Sequence, residues 1–195
     1  LNIIEVDEKE MGTISNFQSL PKVIALAEIP LYQYNSAEIE NTLSLVLNGV
    51  QDPGNMGTIL RVADWFGIRH VFCDEDCASV FNPKSVQASM GAVFRVKAYY
   101  IDLPQTLTRL KESGLPVYGT FLDGENVYTS SLTPKGLIVM GNEGKGISSR
   151  IESLVTQRLT IPSFAENPDS TESLNVGVST EIILSEFRRQ ETFKK

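Results

Sequence analysis

A chain of 195 residues with 42% hydrophobic and 21% charged side chains has the apolar mass for one compact core and too much of it for a disordered tail. Seventeen basic against twenty-four acidic residues leave a net charge of −7, which argues against holding nucleic acid by bulk charge. No stretch reaches the ~20 uninterrupted apolar residues of a membrane span, the opening LNIIEVDEKE is too acidic for a secretory signal, and two cysteines cannot alone supply a four-ligand zinc site.

The expectation is therefore a cytoplasmic, metal-free protein, with Cys73 and Cys77 of CDEDC as free thiols. The acidic excess is uneven: residues 1–50 carry 7 acidic and 2 basic side chains, and residues 51–195 carry 17 and 15. The larger part can still present a local basic face, for which Arg61, Arg69, Lys84, Arg95, Lys145 and Arg150 are candidates.

In chain order, residues 1–40 offer one strand candidate, Lys22–Glu28, and a turn-prone end, EIPLYQYNSAEIEN, with no helix to cross over. A boundary is expected near residue 40, with 41–195 the main domain. Strands are then predicted at Leu43–Val50, His70–Cys73, Phe94–Tyr100, Val117–Phe121, Gly136–Met140 and Leu159–Ile161. Helices are predicted between them. Asn55–Phe66 carries an apolar stripe of Ile59, Leu60, Ala63 and Phe66 and stops at Gly67, and Asp102–Glu112 opens on a capping residue and Pro104. Ile147–Val155 and Ser173–Phe193 complete the set. Strands alternating with helices imply an α/β fold whose mostly parallel sheet has helices on both faces.

Three polar segments fall at the C-terminal ends of predicted strands, where ligands bind in parallel sheets. In Asp52–Phe66, Asn55 and Arg61 would lie about 240° apart on a regular helix, so they converge only if Asn55 belongs to the turn before it; otherwise Asn55 is an N-cap and Arg61 a solvated residue. Met140–Ser148, MGNEGKGIS, is neither a Walker loop nor the dinucleotide fingerprint, but its glycines allow close backbone approach and the amides at the start of the following helix favour an anionic or carboxylate group. They also suit plain left-handed turns. In Ile161–Val178, Ser173 suits a helix cap, whereas Asn175 lies unexplained in an apolar opening. The single histidine, His70, reads as edge-of-strand filler, since no nucleophile elbow accompanies it.

These segments together resemble the SpoU/TrmH branch of the SPOUT RNA methyltransferases over roughly residues 43–190. NGVQDPGNMGTILRVADWFG resembles the first motif, LIVMGNEGKGIS the second and IPSF…ESLNVGVS the third. The resemblance implies a C-terminal trefoil knot and S-adenosylmethionine held by backbone at Thr120, Met140, Gly141, Asn142, Gly144, Ile161 and Leu174. It also implies methylation of a ribose 2′-hydroxyl in RNA, ribosomal RNA ahead of tRNA. Arg61 would activate that hydroxyl, either as a base or, given a guanidinium pKa above ~12, as a charged clamp. Asn55, Glu143, Ser173 and Asn175 would orient Arg61 and the ribose. A homodimer centred on the last helix is implied as well. Residues 21–30 resemble the end of the small RNA-binding domain found in many relatives, most of which is missing here. Where the family has a shorter, glycine-containing loop this chain has SFAENPDSTE, so no cofactor contact is assigned to residues 163–172. Two other readings stand beside this one: a catalytically silent RNA-associated binding module with the same knot, and a nucleotide-binding oxidoreductase-like enzyme.

Overall fold

The computed structural model describes residues 2–15, 19–165 and 173–193, in two compact units that divide between Leu31 and Tyr32. The first unit holds one helix, α1 (Glu8–Ile14). The Asp7 carboxylate accepts the Glu10 amide at 2.8 Å and the Glu10 carboxylate accepts the Asp7 amide at 3.0 Å, a reciprocal cap that satisfies two orphan donors. The strand expected over Lys22–Glu28 does not form. Among the described residues nothing pairs with it, Val23 and Leu26 stand 79% and 101% exposed, and a strand without a ladder partner has no advantage over hydrated coil.

The second unit runs α2 (Ser36–Ile39), β1 (Leu43–Asn48), α3 (Pro53–Trp65), β2 (His70–Cys73), α4 (Pro83–Ser89), β3 (Lys97–Tyr100) and α5 (Leu103–Glu112). It continues with β4 (Val117–Asn126), β5 (Gly136–Gly141), α6 (Ser149–Glu152), β6 (Gln157–Thr160) and α7 (Val176–Phe193). The strands form one six-stranded sheet in the order β3-β2-β1-β5-β4-β6, and every pairing is parallel. This is the α/β architecture expected from the alternation of elements. Successive residues of β1 face opposite sides: Leu45 and Leu47 join the core under α3, α4 and α7, and Val46 joins Phe72, Leu107 and Ile151 under α5 and α6.

Several boundaries move for local reasons. A 3-10 turn at Ala92–Phe94 takes the front of the strand expected over Phe94–Tyr100. The strand expected at Leu159–Ile161 lies at Gln157–Thr160, and β4 runs on to Asn126. The helix expected over Ile147–Val155 is one turn, and the last helix starts at Val176. Helix α4 was not anticipated, although Asn82 caps it through the Lys84 amide and Pro83 opens it.

His70 opens β2, as expected, but it is not filler. β2 lies between β3 and β1, and the ring is 1% exposed, stacked on Tyr99 at 5.9 Å. Its Nδ1 bonds with the Tyr99 hydroxyl at 3.0 Å and its Nε2 with Glu38 at 3.1 Å. Burial pulls its pKa below 6.5, against the opposing pull of Glu38. Cys73 and Cys77 are both free and buried.

Candidate functional site

A cleft of about 510 Å³ opens at the C-terminal ends of β4, β5 and β6. Its first wall is a bulge. Thr120 and Glu125 both register against Leu159, so residues 121–124 leave the ladder, and Phe121, Leu122 and Asp123 line the cleft. A Cβ at Gly124 would lie 2.4 Å from the Leu159 carbonyl carbon, so only glycine lets the two backbones approach. Arg158 fixes the bulge, bonding Asp123 and Glu152 while its guanidinium lies 3.6 Å over the Phe121 ring. That guanidinium holds the Asp123 carboxyl below its usual range. Thr120 Oγ1 donates to the Val139 carbonyl at 3.0 Å.

The second wall is the loop from Gly141 to Ile147, fastened by Asn142. Asn142 Oδ1 accepts the Gly144 and Lys145 amides, each at 2.9 Å, and its Nδ2 donates to the Gly49 carbonyl at 2.7 Å. The Gly146 amide donates to the Asn142 carbonyl at 2.8 Å. The amides of residues 144–146 are thus spent inside the loop, and at the cap of the following helix the Ser148 amide donates to Asn48 Oδ1 at 2.7 Å. The glycines differ in role. A Cβ at Gly141 would lie 2.5 Å from the Gly146 carbonyl carbon, so the loop packs on itself there; at Gly144 a Cβ would meet only Asn142 Oδ1 at 3.6 Å.

The third wall comprises Leu159–Ile161 and the approach to α7. Asn175, not Ser173, caps that helix: its Oδ1 accepts the Gly177 and Val178 amides at 2.9 and 3.3 Å, and its carbonyl accepts the Ser179 amide. Ser173 and Leu174 line the cleft. Of the long segment SFAENPDSTE, residues 166–172 lie outside the described residues.

A chain of side-chain amides joins all three polar segments. Asn55 Nδ2 donates to Glu143 Oε1 at 2.6 Å, and Asn175 Nδ2 donates to Asn55 Oδ1 at 2.9 Å. Asn55 is the third residue of α3, not part of a preceding turn, because Asp52 takes the cap and accepts the Asn55 amide at 2.8 Å. That bond, with Lys84 at 3.0 Å, lowers the Asp52 pKa. Arg61 therefore shares one regular helix with Asn55, and the two do not converge through a turn. Arg61 is exposed, and its side chain makes no hydrogen bond or ion pair with a described residue. Thr120, Met140, Gly141, Asn142, Gly144, Ile161 and Leu174 all line the cleft, as does Glu143. Arg158 and the Asn142 side chain were not singled out from sequence, since neither their strand register nor their loop partners leave a local signal. Among the described residues no group of three or more His, Cys, Asp or Glu is placed to hold a metal.

Residues 42–185, which include every wall of the cleft, match the SpoU rRNA Methylase family. The chain belongs to that family. It is 36% identical to the 23S rRNA (guanosine-2′-O-)-methyltransferase RlmB of Neisseria meningitidis over 157 residues, covering 80% of this chain and 61% of the relative. It is 32% identical to the 23S rRNA (guanosine(2553)-2′-O)-methyltransferase RlmP of Bacillus subtilis, covering 94% of this chain and 71% of the relative. Among solved structures, a TrmH-family protein from Porphyromonas gingivalis is 50% identical with a TM-score of 0.71, over 76% of this chain and 60% of that one. The SpoU methyltransferase AviRb of Streptomyces viridochromogenes in complex with AdoMet is 28% identical with a TM-score of 0.71, over 80% and 64%. The SpoU-family chain thus spans about three fifths of the length of the Neisseria relative.

Proposed function

We propose that this SpoU-family chain binds S-adenosylmethionine in the cleft and methylates the 2′-hydroxyl of a ribose in RNA, ribosomal RNA ahead of tRNA, as a cytoplasmic homodimer. The observation that carries the reading is the amide chain from Glu143 through Asn55 to Asn175, which joins three distant segments at the rim of a cleft in a parallel sheet. The cofactor fits on size and on surface. The volume lies within the ~300–1,000 Å³ usual for small-molecule sites. Met140, Leu159, Ile161 and Val176 supply apolar lining, and the open Cα side of Gly144 leaves room for a ligand at the backbone. The bulge, the glycine loop and the approach to α7 are the segments that a trefoil knot of the family's kind gathers, and we place the knot there.

When bound, the cofactor supplies an electrophilic methyl group. The chain's part is placement and charge. Positioning an unactivated hydroxyl in line with that methyl is the larger share of the work, and a dedicated wall on each side of the cleft suits it. Arg61, exposed and without a described partner, is free to clamp the neighbouring phosphate and stabilise the negative charge that develops on the ribose oxygen as its methyl bond forms and the hydroxyl proton passes to water. Glu143, Asn55 and Asn175 hold one another, and to them and to Ser173, which lines the cleft, we assign the orientation of the ribose.

The separation of Arg61 from the amide chain is the one observation that favours the catalytically silent module. Calorimetric titration with S-adenosylmethionine and with NAD, followed by transfer of labelled methyl to ribosomal RNA and tRNA, decides between the readings. The proposal expects binding of the first ligand only and label on ribose of ribosomal RNA. Binding without transfer to either RNA supports the silent module, and binding of NAD alone overturns the cleft assignment.

A further inference from the structure

Cys73 and Cys77 of the CDEDC segment form no disulfide, and the segment grips the end of β1. Asp74, the residue after β2, accepts from Asn48 Nδ2 at 2.5 Å through Oδ2 and from the Gly49 amide at 3.1 Å through Oδ1. Cys77 accepts from the Val50 amide at 3.3 Å and donates to the Leu47 carbonyl at 3.2 Å. The end of β1 in turn holds both ends of the glycine loop. Asn48 Oδ1 accepts the Ser148 amide at 2.7 Å, and the Gly49 carbonyl accepts Asn142 Nδ2 at 2.7 Å.

The polarity of this relay is set at one point. A carboxylate only accepts, so Asp74 obliges Asn48 to turn Nδ2 toward it and Oδ1 toward Ser148. A reversed Asn48 amide would oppose an N–H to an N–H and an oxygen to an oxygen. The same carboxylate fixes the Gly49 peptide, whose carbonyl anchors Asn142, the fastener of the loop. We infer that Asp74 and Asn48 are positioning residues for the cleft, with Asp74 orienting the Asn48 amide and the pair setting where the wall formed by residues 142–148 stands. The inference rests on the reading of the cleft as the S-adenosylmethionine site.

An exchange of polarity tests it. Asp74→Asn is isosteric but places an amide donor against an amide donor, and Asn48→Asp places a carboxylate against a carboxylate. In the double variant donor and acceptor trade places and every bond of the relay is available again: the amide at 74 accepts from Gly49 and donates to the carboxylate at 48, which still accepts from Ser148. Each single variant is expected to weaken S-adenosylmethionine binding by about tenfold or more in calorimetry and to speed hydrogen exchange in residues 142–148. The double variant is expected to restore both. Glu75→Gln and Asp76→Asn, at exposed neighbouring positions with the same loss of charge, leave both readouts at wild-type values. Wild-type binding in the singles, or a double variant no better than they are, overturns the inference. Should a single variant fail to fold, the double decides alone: recovered affinity supports the pair, and loss overturns it. A wild-type protein that does not bind S-adenosylmethionine refutes the cofactor reading instead, and the exchange comparison still tests the relay.

Discussion

Gly141 and Gly144 lie three residues apart in one loop, and they respond differently to an added side chain. At Gly141 a Cβ would collide with the loop's own backbone, so Gly141→Val is expected to disorder the wall itself. Gly144 is the cleaner probe. Gly144→Val is predicted to lower S-adenosylmethionine affinity by more than about tenfold with the thermal midpoint nearly unchanged; equal affinity by calorimetry would remove this loop from the binding site. For Arg61, replacement by lysine keeps the charge and loses the planar fork, so Arg61→Lys is predicted to abolish methyl transfer in single-turnover assays while cofactor affinity holds. Wild-type rates in that variant would refute the clamp. The types Asn55, Glu143 and Asn175 were legible in the sequence because polar side chains stood out against strand ends and helix openings. Their mutual bonds were not, since they join residues 88 and 120 positions apart, and no local pattern encodes such a closure. Capping was legible where it is local, as at Asp102, whose carboxylate accepts the Gln105 amide at 2.9 Å, and was misassigned where tertiary contacts chose Asn175 over Ser173.

At the scale of elements, buried apolar runs with strand partners were read correctly, and the run at Lys22–Glu28 was not, because alternation says nothing of whether a partner strand exists. The interior strand β2 carries a prediction of its own. His70 is buried with a pKa below 6.5, facing Glu38 and Tyr99, with Arg69 and Lys97 near by. Below about pH 6.5 the unfolded chain takes up a proton that the folded one refuses, so this residue's contribution to stability falls as pH drops through its folded pKa. His70→Gln should flatten the dependence of the thermal midpoint on pH between about 7 and 5, and identical slopes in the two proteins would show that His70 is not the group responsible. Helix α7 divides its apolar residues. Val176, Ile183, Leu184 and Phe187 are buried within the subunit, with Phe187 edge-on to Tyr118 at 4.9 Å, whereas Val178, and Leu174 two residues before the helix, remain 46% and 48% exposed. Val178, which does not line the cleft, marks the surface that the proposed dimer would cover. Val178→Glu is predicted to give a folded monomer by light scattering at micromolar concentration, and a wild-type protein already monomeric there would end the dimer proposal.

For the whole molecule, the balance of charge decides how RNA can be held. A net charge of −7 provides no general attraction, so capture depends on cations that are not already neutralised. Of the six candidates, Lys84 is paired with Asp52 at 3.0 Å, and Arg95 with Asp64 at 2.8 Å. Arg61, Arg69, Lys145 and Arg150 make no ion pair with a described residue. Each phosphate they neutralise contributes about −0.7 to the slope of log affinity against log salt for a single strand, so even full engagement of all four gives a slope of only about −3. The chain is therefore predicted to bind RNA weakly at physiological salt, with that shallow slope. The cofactor cleft, whose lining mixes apolar residues with the paired charges of Asp123, Glu152 and Arg158, should keep its affinity for S-adenosylmethionine across the same range. Fluorescence anisotropy on a labelled single-stranded RNA, run beside the cofactor titration from about 50 to 300 mM salt, measures both. A slope of about −4 or steeper would require Lys84 and Arg95 to leave their carboxylates for phosphate, and Asp52→Asn would then strengthen RNA binding by freeing Lys84. On the shallow slope argued here the same substitution leaves RNA affinity unchanged, because the Lys84 ammonium is not among the groups that meet the RNA.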